Sequence, residues 1–278
     1  MSRLTTLHPQ CRFLTACMLV ISLFCSFQVQ AQPDFSGIWS GAMTTQENLY
    51  WGPEDYLCFP GCPKLLHTYL GDLLADSAND ERPTNALVEE AFGVVIEDRM
   101  ERSTAEGKRR IAESTSLENL DMAKFCEPYG FVRETLNALP IAISEKDGHI
   151  HIRYEEFNME RMIYMDGRKH PDNTDSSLLG FSTGHYEGNA LVVETTGISS
   201  DYFISLSSPT IHYGSYADGS TAIERYRILD NPRRLVVDLT MHDPVTLNEP
   251  YTWTKTWLYT PEVEILQDSC EDVPGQME

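Results

Sequence analysis

A basic surface is the first thing the sequence lacks. Its 278 residues hold 21 Lys+Arg against 42 Asp+Glu, a formal net charge of −21. Binding to phosphate rests on clustered Lys and Arg that release counterions, so neither nucleic acid nor an anionic membrane surface is an expected partner. Well-known catalytic signatures are missing too. There is no Gly-x-Ser-x-Gly elbow, no His-Glu-x-x-His, no phosphate loop and no dinucleotide fingerprint. Internal repeats and low-complexity tracts are also absent. Beyond residue 31, no apolar run approaches the roughly 20 residues that a membrane-spanning helix needs. What remains is an ordinary globular composition, 41% hydrophobic and 23% charged, with length for one or two domains and a sizeable core.

Residues 1–31 read as a secretory signal peptide. Arg3 and Arg12 form a basic start without acidic residues, Phe13 to Phe27 is mostly apolar, and Val29-Gln30-Ala31 offers small residues at the −3 and −1 positions. The expected mature chain is therefore exported, periplasmic or secreted, and strongly acidic. Cys58, Cys62, Cys126 and Cys270 remain after removal of the signal. An even number in an oxidising compartment points to disulfides, with Cys58–Cys62 and Cys126–Cys270 the favoured pairing of three. No second Cys or His pair completes the Cys58-Phe-Pro-Gly-Cys62 half-site, so no metal is expected. An exported protein has no supply of ATP or NAD, and no cofactor is expected.

The mature chain divides by periodicity. Residues 32–62 hold a short strand and loop. Over 63–138 the apolar spacing is helical: Leu65, Leu66, Tyr69, Leu70, Leu73 and Leu74 share one face, and Leu87, Ala91, Val94 and Val95 share another. Asp76 to Pro83 reads as a polar break, Thr115-Ser-Leu-Glu118 as a capping box opening a third helix, and Pro128 as the start of a fourth. After Pro140 the period changes to two, with strands expected around 150–154, 191–195, 222–228, 235–240, 251–258 and 263–266. Roughly eight antiparallel strands over 139–271, followed by a tail at 272–278, predict a barrel or meander, with the helical insertion packed outside it.

Several motifs together resemble a large family of exported bacterial proteins without an established activity. They are Asp34-Phe-Ser-Gly-Ile-Trp39, Arg161-Met-Ile-Tyr-Met-Asp-Gly-Arg-Lys-His-Pro171, Gly184-His-Tyr-Glu-Gly-Asn-Ala-Leu-Val-Val-Glu-Thr-Thr-Gly197, Glu224-Arg-Tyr226 and Cys270-Glu271. The Gly37-Ile-Trp39 strand separately resembles the Gly-x-Trp opening of lipocalin-like barrels, which implies a barrel holding a small molecule.

Candidate chemistry gathers at predicted strand ends. His170 with Asp166, His185, and Glu224 are the candidate catalytic residues, because an imidazole beside a carboxylate serves as acid or base near neutral pH. Strand parity puts Glu224 and Tyr226 on one face and Arg225 on the other, leaving Arg161 as the cation for Glu224. Arg161, Tyr164, His212, Trp253, Lys255 and Trp257 are candidate ligand contacts; the last three share one face of a strand that is equally a core face. Three readings result: a barrel binding a small, largely apolar molecule, a cofactor-free acid–base enzyme on the same barrel, or an envelope interaction protein using its helices.

Overall fold

The computed structural model describes residues 32–41, 62–116, 126–128, 130–136, 139–171, 175–200, 216–231 and 233–267. Helical and extended segments divide at Pro140, as the change of period predicts. Before it come β1 (Gly37–Ser40), a two-residue β2 (Cys62–Pro63), α1 (Lys64–Ala75), α2 (Thr84–Arg102), α3 (Ala105–Ser116) and the short α4 (Phe131–Thr135). After it come β3 (Ile141–Lys146), β4 (His149–Tyr154), β5 (Glu160–Tyr164), β6 (Phe181–Glu187), β7 (Ala190–Ile198), β8 (Ser220–Leu229), β9 (Arg234–His242) and β10 (Tyr251–Tyr259).

Strands β3 to β10 pair in sequence order, and β1 closes the ring by pairing with both β3 and β10. The result is a closed nine-stranded barrel with the helices inserted after its first strand. β2 joins the same edge of β10 further along, at Trp253↔Pro63. Eight junctions in the ring are antiparallel, but β5 and β6 run parallel, at Ile163↔Ser182 and Tyr164↔Thr183. A parallel pair needs a crossover, so Asp166-Gly167 is no hairpin turn but the start of a long connection. The expected strand at 263–266 does not form.

Alternation places one side chain in two inside the barrel. On β10 the buried residues are Tyr251, Trp253, Lys255 and Trp257; beyond them the alternation slips, burying Leu258 and exposing Tyr259. Together with Trp39, Ile152, Ile163, Leu191, Val193 and Leu239 they fill one core. Helices α1 and α2 build a second, smaller core from Leu66, Leu70, Leu87, Ala91 and Val95. The expectation that 63–138 packs wholly outside the barrel fails at α4. All five of its residues are buried, and Phe131, Val132 and Leu136 belong to the barrel core.

Helix α3 also departs from expectation: Thr115 and Ser116 lie within it, and the helix expected to open there falls on residues 117–125, outside the described residues. The N-terminus of α3 is capped by Thr104, whose Oγ1 accepts from the Gly107 amide at 3.0 Å. Glycine occupies the position where a capping box would carry Glu, so the pattern is invisible there. That glycine is required by packing, since a Cβ at 107 would lie 2.2 Å from the Thr246 carbonyl oxygen.

Candidate functional site

Four neighbouring strands, β5 to β8, carry a polar network in the barrel interior. Arg161 on β5 is 3% exposed and Glu224 on β8 is 1% exposed. Arg161 Nη1 donates to Glu224 Oε1 at 2.9 Å, and Nη2 donates to Oε2. Its remaining bonds run from Nε to Ser182 Oγ at 2.8 Å and from Nη2 to Thr195 Oγ1 at 2.7 Å. Tyr226 donates its hydroxyl to Glu224 Oε1 at 2.8 Å, and the Phe131 ring of α4 lies 5.0 Å below the guanidinium. Burial is the largest single influence and pulls Arg161 down, but Glu224, Tyr154 and Tyr226 together outweigh it and hold the guanidinium above its usual value. Burial likewise raises the phenols of Tyr226 and Tyr154, which keep their protons. A cation and an anion so thoroughly bonded form a closed network, arranged to hold the barrel wall together.

Beside this network the wall opens. Because β5 and β6 share only two register pairs, Glu160–Met162 run on without a β6 partner. The chain before β6 turns away to β7, where Ser177 donates its amide to the Gly197 carbonyl at 2.9 Å. The gap is a cleft of about 380 Å³ whose apolar lining comes from Met159, Met162, Tyr164, Leu178, Leu179 and Phe181 and whose polar lining comes from Glu160, Arg161, Ser177 and Ser182. A volume of this order suits a small molecule, and apolar walls with a few polar groups are the usual lining of such sites.

The 165–171 connection is pinned along the rim of this cleft. Asp166 accepts from the Arg168 side chain and amide, and the guanidinium lies 4.1 Å from the centre of the Tyr164 ring. Those bonds to Arg168 hold the Asp166 carboxyl down at about 2. Tyr164 stacks on Phe181 at 5.0 Å, and His170 meets the other end of Phe181 edge-on at 5.1 Å. His149 accepts from the Met165 amide through Nδ1 at 3.1 Å. His170 donates from Nδ1 to the Pro171 carbonyl at 2.9 Å, which leaves Nε2 facing Gly197. A Cβ at 197 would lie 2.7 Å from that nitrogen, and the residue has φ +65°, so glycine is doubly required.

The predicted site residues therefore separate. Arg161 and Glu224 come together as the strand parity implied. Tyr164, Asp166 and His170 share the cleft rim. His185 is not among them: it lies on the same outer face of β6 as Phe181 but four residues along, exposed, with Nε2 3.2 Å from Glu187 Oε1, and Glu187 accepts from Arg225 at 2.7 Å. Glu224 lies on the inner face, so the barrel wall divides it from His185, and the expected common cavity for His170, His185 and Glu224 is not built. Trp253, Lys255 and Trp257 do project inward, but as packed core residues. His212 and Cys270 lie outside the described residues, as does Cys58. Cys126 is disulfide-bonded. No group of metal-ligating side chains occurs among the described residues.

Sequence reasoning missed Phe181 and Leu179, whose roles come from the crossover, and it missed Arg99. That last residue had a readable signal: Leu87, Ala91, Val95 and Arg99 follow one another at i+4 on the buried face of α2. A charge continuing an apolar stripe marks a buried cation. No protein-family model, curated protein or solved structure matches this chain.

Proposed function

We propose that this protein is an exported binding barrel that holds a small, largely apolar molecule at the β5–β6 opening. The observation that carries the reading is the cleft of about 380 Å³, where methionine, leucine and aromatic side chains stand beside Glu160, Arg161 and two serines. Catalysis has less support: the buried carboxylate of Glu224 is fully engaged by Arg161 and Tyr226, and His185 faces away from it. Export rests on the basic, apolar and small-residue order of residues 1–31. In that setting the bonded state of Cys126 fits a Cys126–Cys270 bridge, with Cys58 and Cys62 joined across their Pro-Gly turn. The lipocalin-like description rests on the closed barrel and the Gly37-Ile-Trp39 opening.

The neutral fluorophore N-phenylnaphthylamine tests this function. Saturable fluorescence enhancement with one site per chain is expected, and Met162→Glu, which replaces apolar lining with a second carboxylate beside Glu160, should weaken it at least tenfold. Absence of saturable enhancement, or an affinity indifferent to Met162→Glu, would refute the reading.

A further inference from the structure

Arg99 holds a second and independent feature. The side chain leaves α2 at the end of the barrel where β10 begins, and it is 8% exposed. Its guanidinium carbon lies 4.7 Å from the Tyr251 ring centre and 6.0 Å from those of Tyr216 and Trp253. Three rings thus face one cation. Nε and Nη1 are buried without a hydrogen-bond acceptor, and the Tyr251 hydroxyl is buried without a partner as well. The nearby carboxylates are committed elsewhere: Asp98 and Glu249 both bond Arg102, at 2.7 and 2.9 Å. Buried donors on a charged group are costly to leave unbonded, and native proteins contain few of them. Ring faces offset part of that cost through cation–π attraction, but they accept no strong hydrogen bond.

We infer that Arg99, with the Tyr251 hydroxyl, is the anion-reading end of a binding site at this end of the barrel, and that its ligand is a small organic monocarboxylate. One guanidinium supplies one positive charge, which matches a monoanion better than a dianionic phosphate. The rings of Tyr216, Tyr251 and Trp253, packed into the core around the guanidinium, make its surroundings apolar, which favours an apolar body behind the carboxylate. A carboxylate supplies acceptors for the idle guanidinium donors and for the phenol, through charge-assisted hydrogen bonds. The overall charge of −21 opposes the approach of any anion, so affinity has to come from this local cation. The site does not depend on the β5–β6 cleft, because none of its residues lines that opening.

Calorimetric titration of the intact protein with decanoate, methyl decanoate and inorganic phosphate tests the inference. Decanoate should bind at least tenfold more tightly than methyl decanoate, with no measurable binding of phosphate. Arg99→Met should abolish that preference while leaving N-phenylnaphthylamine binding within twofold, which separates this site from the cleft. The wild-type comparison of acid with ester needs no variant and stands even where Arg99→Met fails to fold. Equal affinity for acid and ester, preferential binding of phosphate, or a preference that survives in Arg99→Met would overturn the inference.

Discussion

Arg161 reaches four oxygens on three strands, which ties the interior faces of β5 to β8 together. Its Glu224 partner is equally dry, and removing either one leaves the other as an uncompensated buried charge. Arg161→Met is expected to cost about 3–5 kcal/mol, and Glu224→Leu a similar amount. Combining the two should cost much less than their sum, because the double variant leaves no orphan charge. Urea unfolding of the two single variants and the double variant checks this; strict additivity would show that the pair is not coupled. His185 provides the contrast. Its ring is on the surface, and His185→Ala should stay within about 0.5 kcal/mol in the same measurement. Parity along β8 made the inward direction of Glu224 and Tyr226 legible before any coordinates. The outward turn of His185, expected instead to face the common cavity, was not legible: it follows from Gly184 at the inner position, where a Cβ would lie 2.8 Å from Ile163.

At the scale of elements, the change of hydrophobic period at Pro140 located the boundary between helices and sheet, because each structure repeats differently along the chain. The β5–β6 crossover was not legible. Asp-Gly is the strongest short hairpin signal, and nothing local distinguishes a hairpin from the start of a longer connection. The cleft was lost with it, since it exists only because two parallel strands meet over two residues. The fourth helix expected from Pro128 does form as α4, but its place inside the barrel was not legible, because five residues are too few to show which face is apolar. Its burial makes Phe131 an inner support of the barrel, contacting both the core and the Arg161 guanidinium. Phe131→Ala is expected to cost about 3–5 kcal/mol by leaving a cavity, measurable by thermal or urea unfolding. A loss below about 1 kcal/mol would show that α4 is dispensable packing. Gly197→Ala should destabilise as well, through its positive φ and its collision with His170. Adding His170→Ala should recover the steric part alone, so the double variant should lie between Gly197→Ala and the wild type.

For the molecule as a whole, stability should depend on pH in a way set by groups sealed inside the barrel. Lys255 is 2% exposed, with its ammonium 5.4 Å from the Trp257 ring centre, and desolvation pulls it from 10.5 down to about 7. Between those values the unfolded chain holds a proton that the folded chain does not. Stability therefore rises with pH across that window, by about 5 kcal/mol if the whole shift is realised, and the penalty is fully present below pH 7. Tyrosines act in the opposite sense. Burial holds Tyr251 up at about 12 and raises Tyr154 and Tyr226 as well. Above about pH 10 the unfolded chain loses phenolic protons that the folded chain keeps, so stability falls. The expected curve climbs from pH 7 and turns over near pH 10. Lys255→Met retains an unbranched apolar side chain and removes the titrating group. It should raise stability at pH 6 and flatten the climb between pH 7 and 10, while leaving the alkaline decline in place. Urea unfolding at half-unit pH intervals on both proteins decides the matter: a wild-type curve that is flat from pH 7 to 10, or a variant curve that still climbs, would remove Lys255 as the source.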